Sequence, residues 1–372
     1  MSTPDPSDAP HPAESPFCYV HSPEFPALLE RLRLSLAVTT YQAGKLMVVR
    51  ASSGTLSTLL RSFESPMGLA VGADLERIVV GTRRAIWTLR SEPEIAPQLE
   101  PRGRHDACFV PRRAHVTGNI HGHEIALVGD RIWIVNTAFS CLCTLDDERY
   151  GFMPQWKPPF VDRLAGEDRC HLNGLAVEDG RIAWVTALGE TNHAEGWREN
   201  KTSGGIVMNV ATGAVVARGL CMPHSPRVHD RTLFVLDSGR GRLCTVDPRD
   251  GRITTVAALP GYARGLAVHG ETAFVGLSKV REKDLANGLP VTEQYRVDER
   301  RCGIAAIDLR SGRLVAFLWF EGSVTEIFDI RTLPGLRWPA VVGFQDQTLD
   351  GIMTAPKSAW QPHPRLPADE PR

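Results

Sequence analysis

The sequence predicts an all-β chain, and three observations carry that reading. Apart from a possible helix at Pro23–Leu34 ("PEFPALLERLRL"), no amphipathic helical period is present. Runs of four to seven Val, Ile, Leu and Ala residues recur instead, broken by Gly, Asp-Gly or Ser-Gly turns. The segments "VATGAVV", "DPRDGRITTV" and "DLRSGRLVAF" have the form of hairpins whose Gly-containing turns match the twist of paired strands.

The apolar runs also repeat. Aligning inner-strand tetrads places "SLAV" at Ser35, "GLAV" at Gly68, "EIAL" at Glu124, "GLAV" at Gly174, "SPRV" at Ser225, "GLAV" at Gly265 and "EIFD" at Glu326. About ten residues after each comes a second apolar strand, such as "IVVG", "IWIV" or "LFVL". The starts are separated by 33, 56, 50, 51, 40 and 61 residues, which fits one four-stranded antiparallel blade per unit with loops of variable length. This predicts a β-propeller of seven blades. Six is the alternative, because the first and last units show only about three strands each and can be two parts of one blade. Residues 17–354 form the single propeller domain on this reading, flanked by a disordered segment at 1–16 and a flexible Pro-rich tail at 355–372.

Bulk properties narrow the function. Lys and Arg number 42 against 43 Asp and Glu, a net charge of −1, which argues against a nucleic-acid partner. No apolar run reaches the roughly 18 to 20 residues of a membrane span, and the N-terminus lacks a basic region followed by a hydrophobic one. The expectation is therefore a cytoplasmic, monomeric domain with no membrane association. The eight cysteines are too few for a disulfide framework and mostly sit within apolar strands.

In a propeller the connections into the inner strands surround one mouth of the central channel. The position before each tetrad holds Leu34, Met67, His123, Asn173, His224, Arg264 and Thr325, with His121 and His171 two residues outside and Glu124 and Glu326 one residue inside. Imidazole and carboxamide groups converging from successive blades are ligands for a divalent metal ion (Zn, Fe, Cu, Mn or Ca), so His123, His171, Asn173 and His224 are the candidate metal ligands. Glu124, Glu326 and His121 are the candidate catalytic groups, as general base or second-sphere donor. Arg264 and Arg227 could orient a carboxylate or phosphate by a two-pronged contact. Two long connections, Ala187–Gly205 and Leu277–Gly303, follow second strands and should overhang the same mouth. The first carries Trp197 and Arg198, suited to closing over a small or peptide-like substrate.

"MPHSP" at Met222–Pro226 resembles the strand entry that supplies zinc-binding histidines in peptidyl-hydroxyglycine amidating lyases. "LNGLAV" at Leu172–Val177 resembles the entry that supplies an Asn ligand in gluconolactonase and regucalcin-type lactonases. The chain departs from both, with His, Asn, His where the lyases place three histidines, and with Met67 and Arg264 where the lactonases have acidic ligands. Over Phe17–Pro339 the phrases "TTYQAGKLMVV", "GNIHGHEIAL", "EDRCHLNGLAV", "MPHSPR", "GLSKVRE" and "LPGLRWP" resemble an uncharacterised bacterial conserved-hypothetical propeller family, sometimes fused to tetratricopeptide repeats. That resemblance implies the fold and no particular reaction.

Two functions fit these observations. One is a metal-dependent lyase, hydrolase or oxidase acting at the channel mouth on a small polar or peptide-like substrate. The other is a non-catalytic propeller that holds a ligand or protein partner on the same face.

Overall fold

A repeat of alternating apolar strands leaves a sheet with two apolar faces, which is stable only when both are covered. In a computed structural model that describes residues 17–279, 288–322, 324–344 and 347–355, six sheets cover one another in a ring. The expectations made for residues 1–16 and 356–372 lie outside the described residues. Blade 1 has its inner strand at Leu69–Val71, blade 2 at Gly122–Val128, blade 3 at Leu172–Glu178, blade 4 at Pro223–His229, blade 5 at Tyr262–His269 and blade 6 at Asp329–Pro334. Each inner strand touches the inner strands of the blades on either side, and the last touches the first, so the ring is closed.

The count is six, not seven. "SLAV" at Ser35 is not an inner strand: Leu34–Thr40 is the second strand of blade 6 and pairs antiparallel with Asp329–Pro334, from Leu34 with Pro334 to Thr39 with Asp329. Lys45–Ser52 and Thr55–Ser62 complete that blade. The two incomplete end units are thus one blade assembled from both ends of the chain, and it closes the ring. Two further strands reinforce the closure. Tyr19–His21 adds to the outer edge of blade 5, and Ala340–Val341 pairs parallel to Cys108–Val116 of blade 1. The expected helix is present at Glu24–Leu32, where Phe25, Leu28 and Leu29 are buried at the far end of blade 6. No described helix is long and apolar enough to cross a membrane. All eight cysteines are free.

The ring also corrects the register of blade 6. Asp329, not Glu326, stands level with Glu124: each carboxylate accepts an inner-strand N–H of the next blade, Asp329 from Leu69 at 3.0 Å and Glu124 from Leu175 at 3.3 Å. The level just inside the mouth therefore holds Gly68, Glu124, Gly174, Ser225, Gly265 and Asp329. Backbones crowd there. A Cβ on Gly68 would stand 2.9 Å from Glu124 Cα, and one on Gly174 2.3 Å from Pro226 Cδ and 2.4 Å from Thr186 Oγ1. That crowding is the physical reason "GLAV" recurs. Gly174→Ala is expected to cost about 1–3 kcal/mol through overpacking. Gly122→Ala, whose methyl would rest 3.4 Å from Ile134 Cγ2, should cost much less. Urea denaturation of the two variants compares them directly.

Two residues deeper, the axis carries Ala70, Ala126, Ala176, Arg227, Ala267 and Arg331. Half-buried Arg227 and Arg331 meet buried Glu124 and Asp329 in an ionic belt. Glu124 contacts both guanidiniums, at 3.1 Å to Arg331, and Asp329 Oδ1 accepts from Arg227 at 3.3 Å and Arg331 at 2.7 Å. Arg227 also donates to the Leu266 carbonyl of blade 5. Four charges thereby stitch neighbouring blades together across the channel.

Candidate functional site

With blade 6 in its observed register, the ring immediately outside the glycine level reads Met67, His123, Asn173, His224, Arg264 and Phe328. Two residues farther out stand Ser65, His121, His171, Met222, Tyr262 and Glu326. Four of that outer ring share a left-handed backbone, with φ of 45° at Ser65, 50° at His121, 48° at His171 and 51° at Met222. For residues with a Cβ this conformation costs on the order of 1–3 kcal/mol each. Repeated at one position in four blades, it is a built feature of the strand entries.

The imidazoles come together. His123 and His171 have ring centroids 4.8 Å apart, edge to face, and His123 and His224 are 6.4 Å apart. Each ring is fixed through Nδ1. His123 Nδ1 lies 3.1 Å from the His121 carbonyl and 2.9 Å from Thr137 Oγ1, and that hydroxyl itself donates to the Leu172 carbonyl. His224 Nδ1 lies 2.9 Å from the Met222 carbonyl, with Ser238 Oγ at 3.2 Å and Tyr262 OH at 3.4 Å. His171 Nδ1 lies 2.7 Å from Asp168 Oδ2. Carbonyl and carboxylate oxygens only accept, so Nδ1 carries the proton in all three rings. Burial holds His123 and His224 well below the usual histidine range, aided at His123 by His171 and Arg264 and at His224 by Arg264. Both are neutral near pH 7, so each Nε2 presents a lone pair.

The walls are aromatic. Trp197 packs against His171 with centroids 4.5 Å apart and donates from Nε1 to Asp168 Oδ2 at 3.2 Å. Asp168 Oδ1 is buried and has no hydrogen-bond partner among the described residues. Phe328 lies 5.4 Å from the His123 ring, and the Arg264 guanidinium rests over Phe328 with Cζ 3.5 Å from its centroid. Arg264 Nη1 donates to Glu326 at 3.2 Å. Both long connections reach this face. Leu188 and Trp197 from one, and Leu289 and Val291 from the other, share a small core with Cys221 and Met222. Residues 280–287 of the second connection lie outside the described residues.

The other candidates stand elsewhere or are committed. Asn173 is buried with both polar ends used, donating to the Pro223 carbonyl at 2.9 Å and accepting from Thr186 at 2.7 Å, so it braces the entry to His224. Glu124 and Arg227 belong to the ionic belt, deeper than the imidazoles. Burial raises the Glu124 pKa against the opposing pull of Arg227. Trp197 is 2% exposed and supports His171 from behind, leaving no free face to close on a ligand. Arg198 sits on the outer surface of its loop, paired with Glu195 at 3.0 Å and stacked on Trp197. His121 is exposed at the rim, where Asn119 donates to its Nε2 at 3.1 Å; burial of part of the ring lowers its pKa, opposed by Asp168. Thr325 lies three residues before Phe328, which takes the axial place assigned to it. Tyr262, Phe328 and Asp168 were not singled out from sequence. Tyr262 was readable from the repeat register, and Asp168 only from its place in "EDRCHLNGLAV".

The fit of a metal can be judged from spacing. A tetrahedral ion bound at about 2.0–2.1 Å by imidazole nitrogens sets ring centroids about 5 Å apart. The His123–His171 pair meets that distance, and the His123–His224 pair is wider by about 1 Å. Accordingly, no group of three or more His, Cys, Asp or Glu among the described residues stands at metal-holding separation as the rings are placed. The donor set nonetheless suits a transition ion: three imidazoles with Nδ1 anchored on oxygen acceptors, one of them a carboxylate.

Comparison with known proteins supports the architecture. The described coordinates are similar to the structure of a nidogen/laminin complex, at 13% identity and a TM-score of 0.52, covering 82% of this chain and 98% of that one. A protein of unknown function from Bacteroides caccae is similar at 9% identity and a TM-score of 0.52, covering 81% of this chain and 98% of that one. At such identities the likeness is one of fold alone. No curated protein matches the chain. A family model described as "Domain of unknown function (DUF4915)" matches residues 23–342, the whole ring from the first helix to the strand after blade 6, and the chain belongs to that family.

Proposed function

We propose that the channel mouth holds a divalent transition metal on His123, His171 and His224, and that the protein is a metal-dependent enzyme acting on a small polar or peptide-like substrate. The observation that carries this reading is the common tethering of the three Nδ1 protons, which leaves three Nε2 lone pairs on consecutive blades. An all-imidazole set suits Zn, Fe or Cu and is a poor match for Ca, which takes oxygen ligands. When bound, such an ion lowers the pKa of its water toward 7 and polarises a carbonyl.

This chain's own residues supply the rest. Arg264, braced by Phe328 and Glu326, has donors left over to anchor a carboxylate or phosphate of the substrate. Tyr262 is half-buried, and the desolvation of its hydroxyl pushes the phenol well above the usual range, so it stays protonated and acts as a hydrogen-bond donor. His121 stands at the rim with Nε2 engaged by Asn119, so it orients that edge of the mouth and is not a free base. Asp168 holds His171 in the tautomer that frees Nε2.

The 6.4 Å spacing of His123 and His224 favours a second reading, a propeller that binds a small ligand without catalysis. Elemental analysis and thermal denaturation of the full chain separate the two. The metal reading expects near-stoichiometric zinc, iron or copper and a drop in Tm on chelation. A His171→Ala, His224→Ala double variant should then be metal-free with a Tm that chelator does not move. An ion at a hundred times its Kd stabilises by about 2.7 kcal/mol, well within detection. Metal-free protein whose Tm is unmoved by added zinc, iron(II), copper or manganese would overturn the metal reading.

A further inference from the structure

A second cavity lies away from the mouth. Asp329 marks the mouth end of blade 6 and Pro334 its far end. At that far end Ser52, the last residue of Lys45–Ser52, and Ser53 in the turn after it line a cavity of about 510 Å³ together with Arg104, Arg337 and Trp338. The "LPGLRWP" phrase, which the mouth does not use, supplies Arg337 and Trp338.

The loop is built to present cations. Asp106 Oδ2 accepts the Trp338 N–H at 2.9 Å and the Arg337 N–H at 2.5 Å, so one oxygen of its carboxylate holds the backbone that carries Arg337. Glu30, the other acid of the cavity, accepts the Gly54 N–H at 2.8 Å. Arg104 lies over the Trp338 ring at 3.9 Å. Among the described residues, neither the Arg104 nor the Arg337 guanidinium has a hydrogen bond or ion pair. Behind the ring, Arg50 also lies over Trp338, at 4.5 Å, and is only 6% exposed. Its Nη atoms are bonded to the Pro339 carbonyl and Ser57, but its buried Nε has no partner among the described residues. Burial, then Arg104 and Arg61, pull the Arg50 pKa down to about 10, against the opposing charge of Asp106.

We propose that this cavity binds a small phosphate-bearing molecule, gripped by Arg104 and Arg337 with the Ser52 and Ser53 hydroxyls. Two guanidinium forks plus two hydroxyls offer donors from several directions, which matches a tetrahedral dianion. A planar carboxylate pairs with one fork in its own plane and leaves donors above and below that plane unmet. The site is independent of the mouth and stands whether or not a metal binds there.

The test is calorimetric titration of the full chain with inorganic phosphate at constant ionic strength, with malonate as the carboxylate probe. Saturable phosphate binding is expected, with malonate at least about tenfold weaker. Arg104→Gln and Arg337→Gln should each weaken phosphate by about tenfold or more, the loss of a charge-assisted bond. Both residues are exposed, so their variants should melt like the parent without phosphate, and melting reports this separately. Arg264→Gln should bind phosphate as the parent does, which distinguishes this cavity from the arginine at the mouth. Absence of saturable binding, binding undiminished in both arginine variants, or malonate binding as tightly as phosphate would each overturn the proposal.

Discussion

Glu124→Ala is expected to destabilise the protein by about 3–5 kcal/mol, with no comparable loss for the conservative removal of a rim charge such as Arg198→Ala. The reason lies in what remains. Glu124 is 3% exposed and contacts both Arg227 and Arg331, whose only other acidic partner in the belt is Asp329. Truncation leaves two partly buried guanidiniums, 17% and 16% exposed, facing one carboxylate, and the Leu175 N–H loses its acceptor as well. Burying an unpaired charge outweighs the few contacts a methyl retains. Because a domain of this kind has about 5–15 kcal/mol in hand, the loss should appear as a large drop in denaturation midpoint. The deletion of all four charges together, with Leu or Met at 124, 227, 329 and 331, should cost far less than the single truncation. If Glu124→Ala melts within a degree or two of the parent, the belt is not the fastening described here.

The repeat was legible because the physics behind it is local. Wherever an inner strand passes close to its neighbour's backbone the chain needs glycine, and so "GLAV" recurs in blades 1, 3 and 5 with a visible period. Blade 6 hid for two reasons. Its strands come from opposite ends of the chain, so no window of sequence contains them together. Its inner strand, "DIRT", also carries Arg331 where blades 1, 2, 3 and 5 carry alanine, and an arginine in an apolar register reads as solvent-facing. Only the tertiary structure shows that Arg331 meets Glu124. "EIFD", three residues earlier, mimics "EIAL" and drew the register to Glu326, which concealed Phe328 behind Thr325. Convergence of the histidines was legible because it depends on repeat position alone. Whether a polar side chain at that position is available was not. Asn173 and Trp197 sit at the right places in sequence, yet one is spent bridging two blades and the other lies buried beneath its loop.

A chain ending after residue 322 should fail to fold, and a separate peptide of residues 324–344 should restore folding when added. In a propeller of seven self-contained blades, losing the last unit would strip one blade and leave the others able to melt cooperatively. Here the segment supplies the inner strand of blade 6, six register pairs with Leu34–Thr40, and Asp329 of the belt. Val324, Ile327, Ile330 and Leu333 are each fully buried. At about 1.5–3 kcal/mol per side chain their loss amounts to roughly 6–12 kcal/mol before any hydrogen bond is counted, comparable with the whole stability of a domain. The ring would open between blades 5 and 1, exposing the sheet faces on either side of the gap. Circular dichroism of the truncated chain should show no cooperative thermal transition, and titrating the peptide should bring one back with a midpoint that rises with peptide concentration. A truncated chain that melts cooperatively on its own, near the parent midpoint, would mean that closure contributes little and that the ring is held instead by the contacts between adjacent blades.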